Sequence, residues 1–561
     1  MDGDSPVIPE SAVQGEYENR YGDHVEVPVE VQHTVSQLLN DACGDIMPFD
    51  LGPKADNPPL ARRRRWGVHL QLAPLVDDST WGIGDYGSLV RLGQEVVTHG
   101  ADFVAIGPTN WESILPDGGL DPSPYSPVSR LLYSLLHVEV TTVAGWSSIP
   151  PADRKELCRR GAQLNAGSAA SRNDLDVLKL KAEALRSIFA HNEPQVSGID
   201  PRSSEGLLAS ALVQYLQERR VAAHYFGTLD EKQYVEFLVW LQHVVKGQLT
   251  VAHEELRAAG MDIGIVADLQ VGASQDGIDQ EVFSGCYSRT LSIGTPPDDY
   301  VPDGQNWRLA FPVPHRDQHR PCAQTLALAT VVVPVGGVRI DHVLGIQRLW
   351  ARLPDGAGTY VHFDVGAQME SIRELVDRGK LVVGEDLGNV PDGLREVLAE
   401  SGVYGTDVVW WTRGSDGSLR TGLTTEGREQ SMLLIAFHDT SSTACFITGE
   451  DLRLLDSMGR LGRDLTQAEK QRFSDLAEFG VGPNSDVEDA LLSIYTFAFS
   501  SQPELVSIYY PDLLGLDCTE NVPGTGPEDH PNWVLTYGDP DLSIEEQLGG
   551  KLARQLLALK R

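Results

Sequence analysis

The chain has 561 residues and carries 80 Asp and Glu against 45 Lys and Arg, a formal charge of −35. A surface this acidic repels phosphate backbones and anionic lipid, which excludes nucleic acid and membrane as partners. With 41% hydrophobic and 22% charged residues the composition is that of a folded globular protein, and 55 Gly and 33 Pro imply many loops.

Residues 1 to 60 are acidic and punctuated by proline, with one helix-like piece around Val31 to Ala42, and they read as an N-terminal extension. The opening "MDGDSPVIPE" lacks the basic and apolar regions of a secretion signal. Arg62 to Arg65 form the only basic run; without interleaved aromatics it reads as a solvated flank rather than a polyanion site. Six cysteines, Cys43, Cys158, Cys286, Cys322, Cys445 and Cys518, lie far apart with no metal-ligand spacing, which suits a reducing, cytoplasmic compartment.

From Trp66 onward, short apolar runs recur: "WGVHLQLAPL", "DFVAIGP", "DIGIVADLQVG", "GGVRIDH", "KLVVGEDLG", "TDVVWW", "MLLIAFHDT" and "ELVSIYY". Eight such runs, separated in many places by amphipathic helical segments, are the pattern of a parallel barrel of the TIM (β/α)8 type, an α/β fold. The interval 109–260 is too long for a loop and reads as a mainly helical insertion. A Pro- and Gly-rich stretch, "GTPPDDYVPDGQNW", suggests a second insertion at about 285–325, with Gly294 to Trp307 as a lid over a cleft. The barrel with its insertions then spans 61–561. The tract "TLALATVVVPVGGV" is broken by Pro334 and falls short of a membrane span.

Three runs end in carboxylates: Asp341 after "GGVRI", Glu385 after "LVVG" and Asp439 after "LLIAFH". Side chains just past the strands of a parallel barrel converge on one mouth, so these three belong to one cleft. Carboxylates gathered there without metal-ligand histidines suit glycosyl transfer through an oxocarbenium-like transition state. One must be ionised to attack the anomeric carbon, and Arg339, on the same strand face as Asp341, is expected to favour that form. Another must hold a proton for the leaving oxygen, which the apolar lead-in to Glu385 favours. Asp439 with His438 would bond the sugar hydroxyls. Trp307, Trp350, Trp410, Trp411 and Tyr125 are candidate sugar platforms and equally candidate core residues.

These pieces, together with "WGIGDYG", "PYSPVSR" and "ENVPGT" followed by "HPNW", occur in an order that resembles the 4-alpha-glucanotransferases, the amylomaltase or disproportionating enzymes of glycoside hydrolase family 77. The resemblance runs from about Trp66 to Trp533. It implies a retaining transferase moving α-1,4-glucan segments between maltooligosaccharides through a covalent glycosyl-enzyme, with no cofactor and no metal. It further implies that Asp341 is the nucleophile, Glu385 the acid/base and Asp439 the transition-state stabiliser. Arg339, His342 and His438 would support them, Tyr125 would pack on the donor sugar, Gln305 and Trp307 would belong to the closing loop, and Asn521 and Pro523 would lie near the mouth. A hydrolase on the same residues and a non-catalytic glucan-binding relative are the competing readings. The chain departs from the family pattern in "LLYSLLHVEV" after "PYSPVSR", in Arg308 where glycine is common, and in "TSSTACF" after Asp439.

Overall fold

A computed structural model describes residues 12–19, 23–41, 60–168, 172–192, 203–283, 285–297, 304–314, 334–413, 419, 428–526 and 528–559. The eight apolar runs form eight parallel strands: β1 (Arg65–Leu70), β2 (Phe103–Ile106), β3 (Gly264–Leu269), β4 (Gly337–Ile340), β5 (Leu381–Gly384), β6 (Gly405–Val408), β7 (Ser431–Leu434) and β8 (Leu505–Tyr509). Their order is β5-β4-β3-β2-β1-β8-β7-β6. Tyr404 closes the ring, its N–H donating to Val382 O at 2.9 Å and its carbonyl accepting from Gly384 N at 2.7 Å. The fold is a TIM-type barrel. All six residues of β3 and all four of β5 are buried, which is why they read as apolar runs, broken in β3 only by Asp268, rather than as alternating ones.

The first crossover helix, Tyr86–Thr98, starts where Asp85 accepts from the Ser88 N–H and Ser88 returns a bond to the Asp85 N–H. Its buried Leu89, Leu92 and Val96 face inward at helical spacing. The helix Tyr234–Ala259 packs against it at Gly93, where a Cβ would lie 2.4 Å from a Leu256 methyl. Between β2 and that helix lie a short hairpin, Asn110–Glu112 with Pro127–Tyr133, and the helices Pro151–Ser168, Asp174–Asn192 and Ser204–Glu218.

Excursions after β3 and β4 build a four-stranded antiparallel sheet from Tyr287–Gly294, Asn306–Pro312, Arg348–Arg352 and Gly358–His362. Residues 298–303 of the Gly294 to Trp307 stretch, and 315–325 beyond it, lie outside the described residues. The described part of the first 60 residues lies on this sheet: Gln14 N donates to Tyr360 O at 2.9 Å. Val35 and Leu39 of the helix Val29–Asn40 are fully buried in one cluster with Leu291, Ile293, Leu349 and Val361. Trp350 is buried edge-on against Tyr17 and Tyr360, and Trp410 is buried in a stack on Phe446, so both are core residues and not sugar platforms. No helix among the described residues is long and apolar enough to cross a membrane.

Because Leu39 is fully buried, Leu39→Ala is expected to cost about 2–5 kcal/mol locally. Hydrogen exchange should then speed up in 291–293, 349–351 and 359–361 while the barrel strands keep their protection. Unchanged exchange in the sheet would mean that the N-terminal helix does not support it.

Candidate active site

The backbone ladder continues past the strand ends and fixes where the carboxylates emerge. Asp341 N donates to Leu269 O at 3.0 Å, and Glu385 N to Ile340 O at 2.9 Å. The chain then turns at His342, whose φ of 44° is left-handed. That conformation costs a side-chain-bearing residue roughly 1–2 kcal/mol, and here it points the His342 N–H at Glu385 Oε2, 2.9 Å away. Glu385 Oε1 accepts from Leu387 N at 2.8 Å. Each carboxylate oxygen is thus oriented by one backbone donor, and a proton on Glu385 must occupy a remaining lone pair.

Arg339 and Asp268 are register partners on β4 and β3. Arg339 Nη1 donates to both oxygens of Asp268, at 2.9 and 2.7 Å, and lies 3.0 Å from Asp341 Oδ1. Arg339 is therefore shared: it favours the ionised form of Asp341, as expected from its strand face, but does not outweigh burial and the neighbouring carboxylates. Burial pushes Asp341 up, Arg339 opposes it, and Asp268, Glu385 and Asp439 add to the rise, leaving its carboxyl above the usual carboxylate range. Glu385 is also raised, by burial first, against Arg339 and its two backbone donors. Among the described residues Arg339 Nη2 is buried without a hydrogen-bond partner, a spare donor beside these carboxylates.

Asp439 behaves oppositely. Burial raises it, but the charge and hydrogen bond of His438 and the bond from Asn521 Nδ2 at 2.9 Å outweigh burial and hold it below the usual range. The loop that presents it is closed by Thr440, whose hydroxyl donates to Phe437 O and accepts from Phe437 N, each at 3.0 Å. Ser442 then caps the helix Thr443–Thr448, so the unusual "TSSTACF" stretch folds into a tight turn and a capped helix. His438 lies 3.5 Å from Asp439 and stacks on Tyr125 with ring centroids 4.7 Å apart. The Tyr125 hydroxyl donates to Asp268 Oδ2 at 2.7 Å, and burial with that carboxylate keeps the phenol protonated.

Trp307 meets the His342 ring edge-on at 5.2 Å, and its indole N–H donates to Gln305 Oε1 at 3.0 Å. The next residue, Arg308, has φ 56°, so an arginine holds the left-handed conformation for which glycine is suited. Asp341, Glu385, Asp439, Arg339, His342, His438, Tyr125, Asn521, Gln305 and Trp307 are thus connected by these contacts. Pro523 is exposed in the turn after Asn521, closed by Thr525 N to Val522 O, and serves to reverse the chain rather than to line the cluster.

Two residues at the mouth escaped the sequence reading. Asp268 lies inside the run "DIGIVADLQVG", one residue before its strand ends, and not past it. Trp533, the last residue of "HPNW", adopts φ 66° and packs 5.4 Å from Tyr125 and 5.7 Å from His438. A carboxylate interrupting an apolar run was the available signal for the first. The motif itself was the signal for the second.

The family model for 4-alpha-glucanotransferases, glycoside hydrolase family 77, matches residues 70–218 and 210–539. The chain belongs to this family. The 4-alpha-glucanotransferase of Mycobacterium tuberculosis is 30% identical over 532 residues, covering 86% of this chain and 72% of that protein. That of Haemophilus influenzae is 28% identical over 554 residues, with 87% and 78% covered. Among solved structures, amylomaltase from Corynebacterium glutamicum superposes with a TM-score of 0.83 at 23% identity, covering 98% of each chain. Amylomaltase from Streptococcus agalactiae, solved in complex with acarbose, gives 0.66 at 16% identity over 89% of this chain and 98% of that one. These two likenesses bear on the fold, and membership of the family rests on the sequence matches.

A carboxyl group whose pKa is raised on folding stabilises the fold fully below its unfolded value and loses that contribution as pH rises through the folded value. Asp341→Asn should therefore raise the melting temperature at pH 8, with the gain shrinking toward zero near pH 4. Equal melting curves across this range would mean that Asp341 bears no electrostatic strain.

Proposed function

We propose that the 4-alpha-glucanotransferase activity of this family is carried out here by Asp341 as nucleophile, Glu385 as acid/base and Asp439 as stabiliser. The observation that carries this reading is the convergence of three buried carboxylates at one barrel mouth, Asp341 and Glu385 raised by burial and Asp439 held charged by His438 and Asn521. Glu385, held up by burial, keeps a proton for the glycosidic oxygen of a bound α-1,4-glucan. Asp341 attacks the anomeric carbon as that C–O bond breaks, Glu385 gives its proton to the departing 4-hydroxyl, and a glucosyl ester forms on Asp341. The incoming 4-hydroxyl of a second maltooligosaccharide then gives its proton to Glu385 and displaces Asp341, so the two inversions retain configuration.

Asp439 stays charged and, with the spare Nη2 of Arg339 and with His438, supplies partners for the hydroxyls of the reacting sugar. Tyr125 and Trp533 offer ring faces beside the same position. Transfer rather than hydrolysis requires that an acceptor sugar outcompete water, and Gln305 with Trp307 is the candidate device for covering the cleft. A purely glucan-binding role is disfavoured, because buried carboxylates crowded around one arginine are costly and only the reaction needs them. The cysteines are scattered, and Cys158, Cys445 and Cys518 form no disulfide among the described residues, which supports a cytoplasmic setting.

Incubation with maltotriose alone should yield glucose and longer oligosaccharides at a constant number of reducing ends; a rising number would identify a hydrolase instead. Asp341→Ala should abolish both. Glu385→Gln should lower turnover by about 10²–10⁴-fold. It should recover the first step with an α-glycosyl fluoride donor, whose leaving group needs no proton. Loss with both donors alike would remove Glu385 from the acid role.

A further inference from the structure

At the end of the barrel opposite the carboxylates, residues that precede or open β1, β3, β4 and β5 line a cavity of about 430 Å³. Five cationic side chains reach it, Arg63, Arg65, Arg257, Arg378 and Lys380, against one carboxylate, Asp262. The proportions are the reverse of those of the whole chain, where acidic residues outnumber basic ones by 80 to 45. Part of this set is the basic run at 62–65, in which Arg62 to Arg64 are exposed as in a solvated flank, while the Arg65 side chain turns inward and is only 2% exposed.

Three of the five cations have carboxylate partners. Asp262 is shared by Arg65 Nε at 2.6 Å and Arg63 Nη2 at 3.0 Å. Arg63 also reaches Asp102, and Arg378 pairs with Glu374. Lys380 donates to the Val335 carbonyl and Arg257 to the Met261 carbonyl at 2.7 Å, and among the described residues neither forms an ion pair. His253 accepts the Ile265 N–H on Nδ1, which leaves its proton on Nε2; burial, then Lys380 and Arg257, hold it neutral, at about 4. Burial and Arg378 likewise press Lys380 downward. A partly enclosed cavity whose cations repel one another lacks an anion.

We infer that this cavity binds a small phosphate-bearing anion, whose oxygens accept from Lys380 Nζ and the Arg257 guanidinium. Two cations without carboxylate partners match the two charges of a phosphate or phosphate monoester, whereas a single carboxylate would leave one uncompensated. Planar guanidinium groups suit the oxygen geometry of phosphate. The volume accepts a phosphorylated sugar-sized molecule, and the acidic exterior rejects a polymeric anion. The site is separate from the reacting carboxylates, which lie at the other ends of the same strands, roughly 10–20 Å away at about 3.3 Å per residue.

The test is a thermal-shift and calorimetric titration of the full chain with inorganic phosphate and with glucose 6-phosphate, using sodium chloride at matched ionic strength as the reference. A saturable rise in melting temperature with one binding site is expected. The double variant Lys380→Gln/Arg257→Gln should weaken it at least about tenfold, the scale of a charged hydrogen bond, with maltotriose turnover unchanged. Arg257→Gln alone, at an exposed helical position, is the variant to read if the double one unfolds, and it should also weaken binding. Tighter binding of the ester identifies a phosphorylated metabolite as the ligand class, and tighter binding of the inorganic ion identifies free phosphate. A response no greater than that to chloride, or an undiminished response in the folded variants, overturns the inference.

Discussion

The buried ion pair between Arg339 and Asp268 sets the conditions for every other group at the barrel mouth. The two side chains are 13% and 7% exposed, so both charges have been taken out of water at a cost that a single attraction need not recover. What the pair supplies is placement. Asp268 also accepts the Tyr125 hydroxyl, Tyr125 stacks on His438, His438 contacts Asp439, and Asn521 holds the far oxygen of Asp439. One chain of contacts thus runs from β3 through the loops after β2 and β7 to the segment after β8. Because Arg339 is committed to Asp268, it gives Asp341 one contact, and among the described residues its Nη2 has no partner.

Much of the barrel was legible because a parallel sheet with helices outside is buried on both faces, so its strands read as short apolar runs between polar breaks. All eight runs are strands. The positions of Asp341 and Glu385 were legible for the same reason: the residue after the last apolar one sits at the mouth. Asp268 fails that rule because it precedes its strand's last residue, Leu269, and faces the barrel interior in register with Arg339. No spacing rule separates such a residue from a chance polar interruption, and only the pairing register brings it to Arg339.

The aromatics and the first 60 residues were opaque for a different reason. Trp350 is core only because Tyr17, more than 300 positions earlier, packs against it, and Val35 and Leu39 find their partners in strands near 291 and 349. Such long-range partners leave no local period. The left-handed residues His342, Arg308 and Trp533 were equally hidden, since nothing in a histidine, arginine or tryptophan announces a positive φ. At His342 the turn aims a backbone donor at Glu385, which links the strain directly to the site.

The electrostatics of the site make sense only against the reaction. Asp268, Asp341, Glu385 and Asp439 surround one arginine and one histidine, and burial makes their mutual repulsion expensive. A neutral glucan does little to relieve it. Positive charge developing at the anomeric carbon does, and it does so in a site whose dipoles and ions are already in place and need not reorganise. The unfavourable field is thus largest in the free and substrate-bound states and falls as the transition state forms, which is the differential interaction that accelerates a chemical step. Replacing Asp341 or Glu385 by its amide would make the barrel easier to fold above neutral pH and remove part of the field that favours the oxocarbenium ion, so stability and catalysis are opposed at these two positions by one and the same interaction.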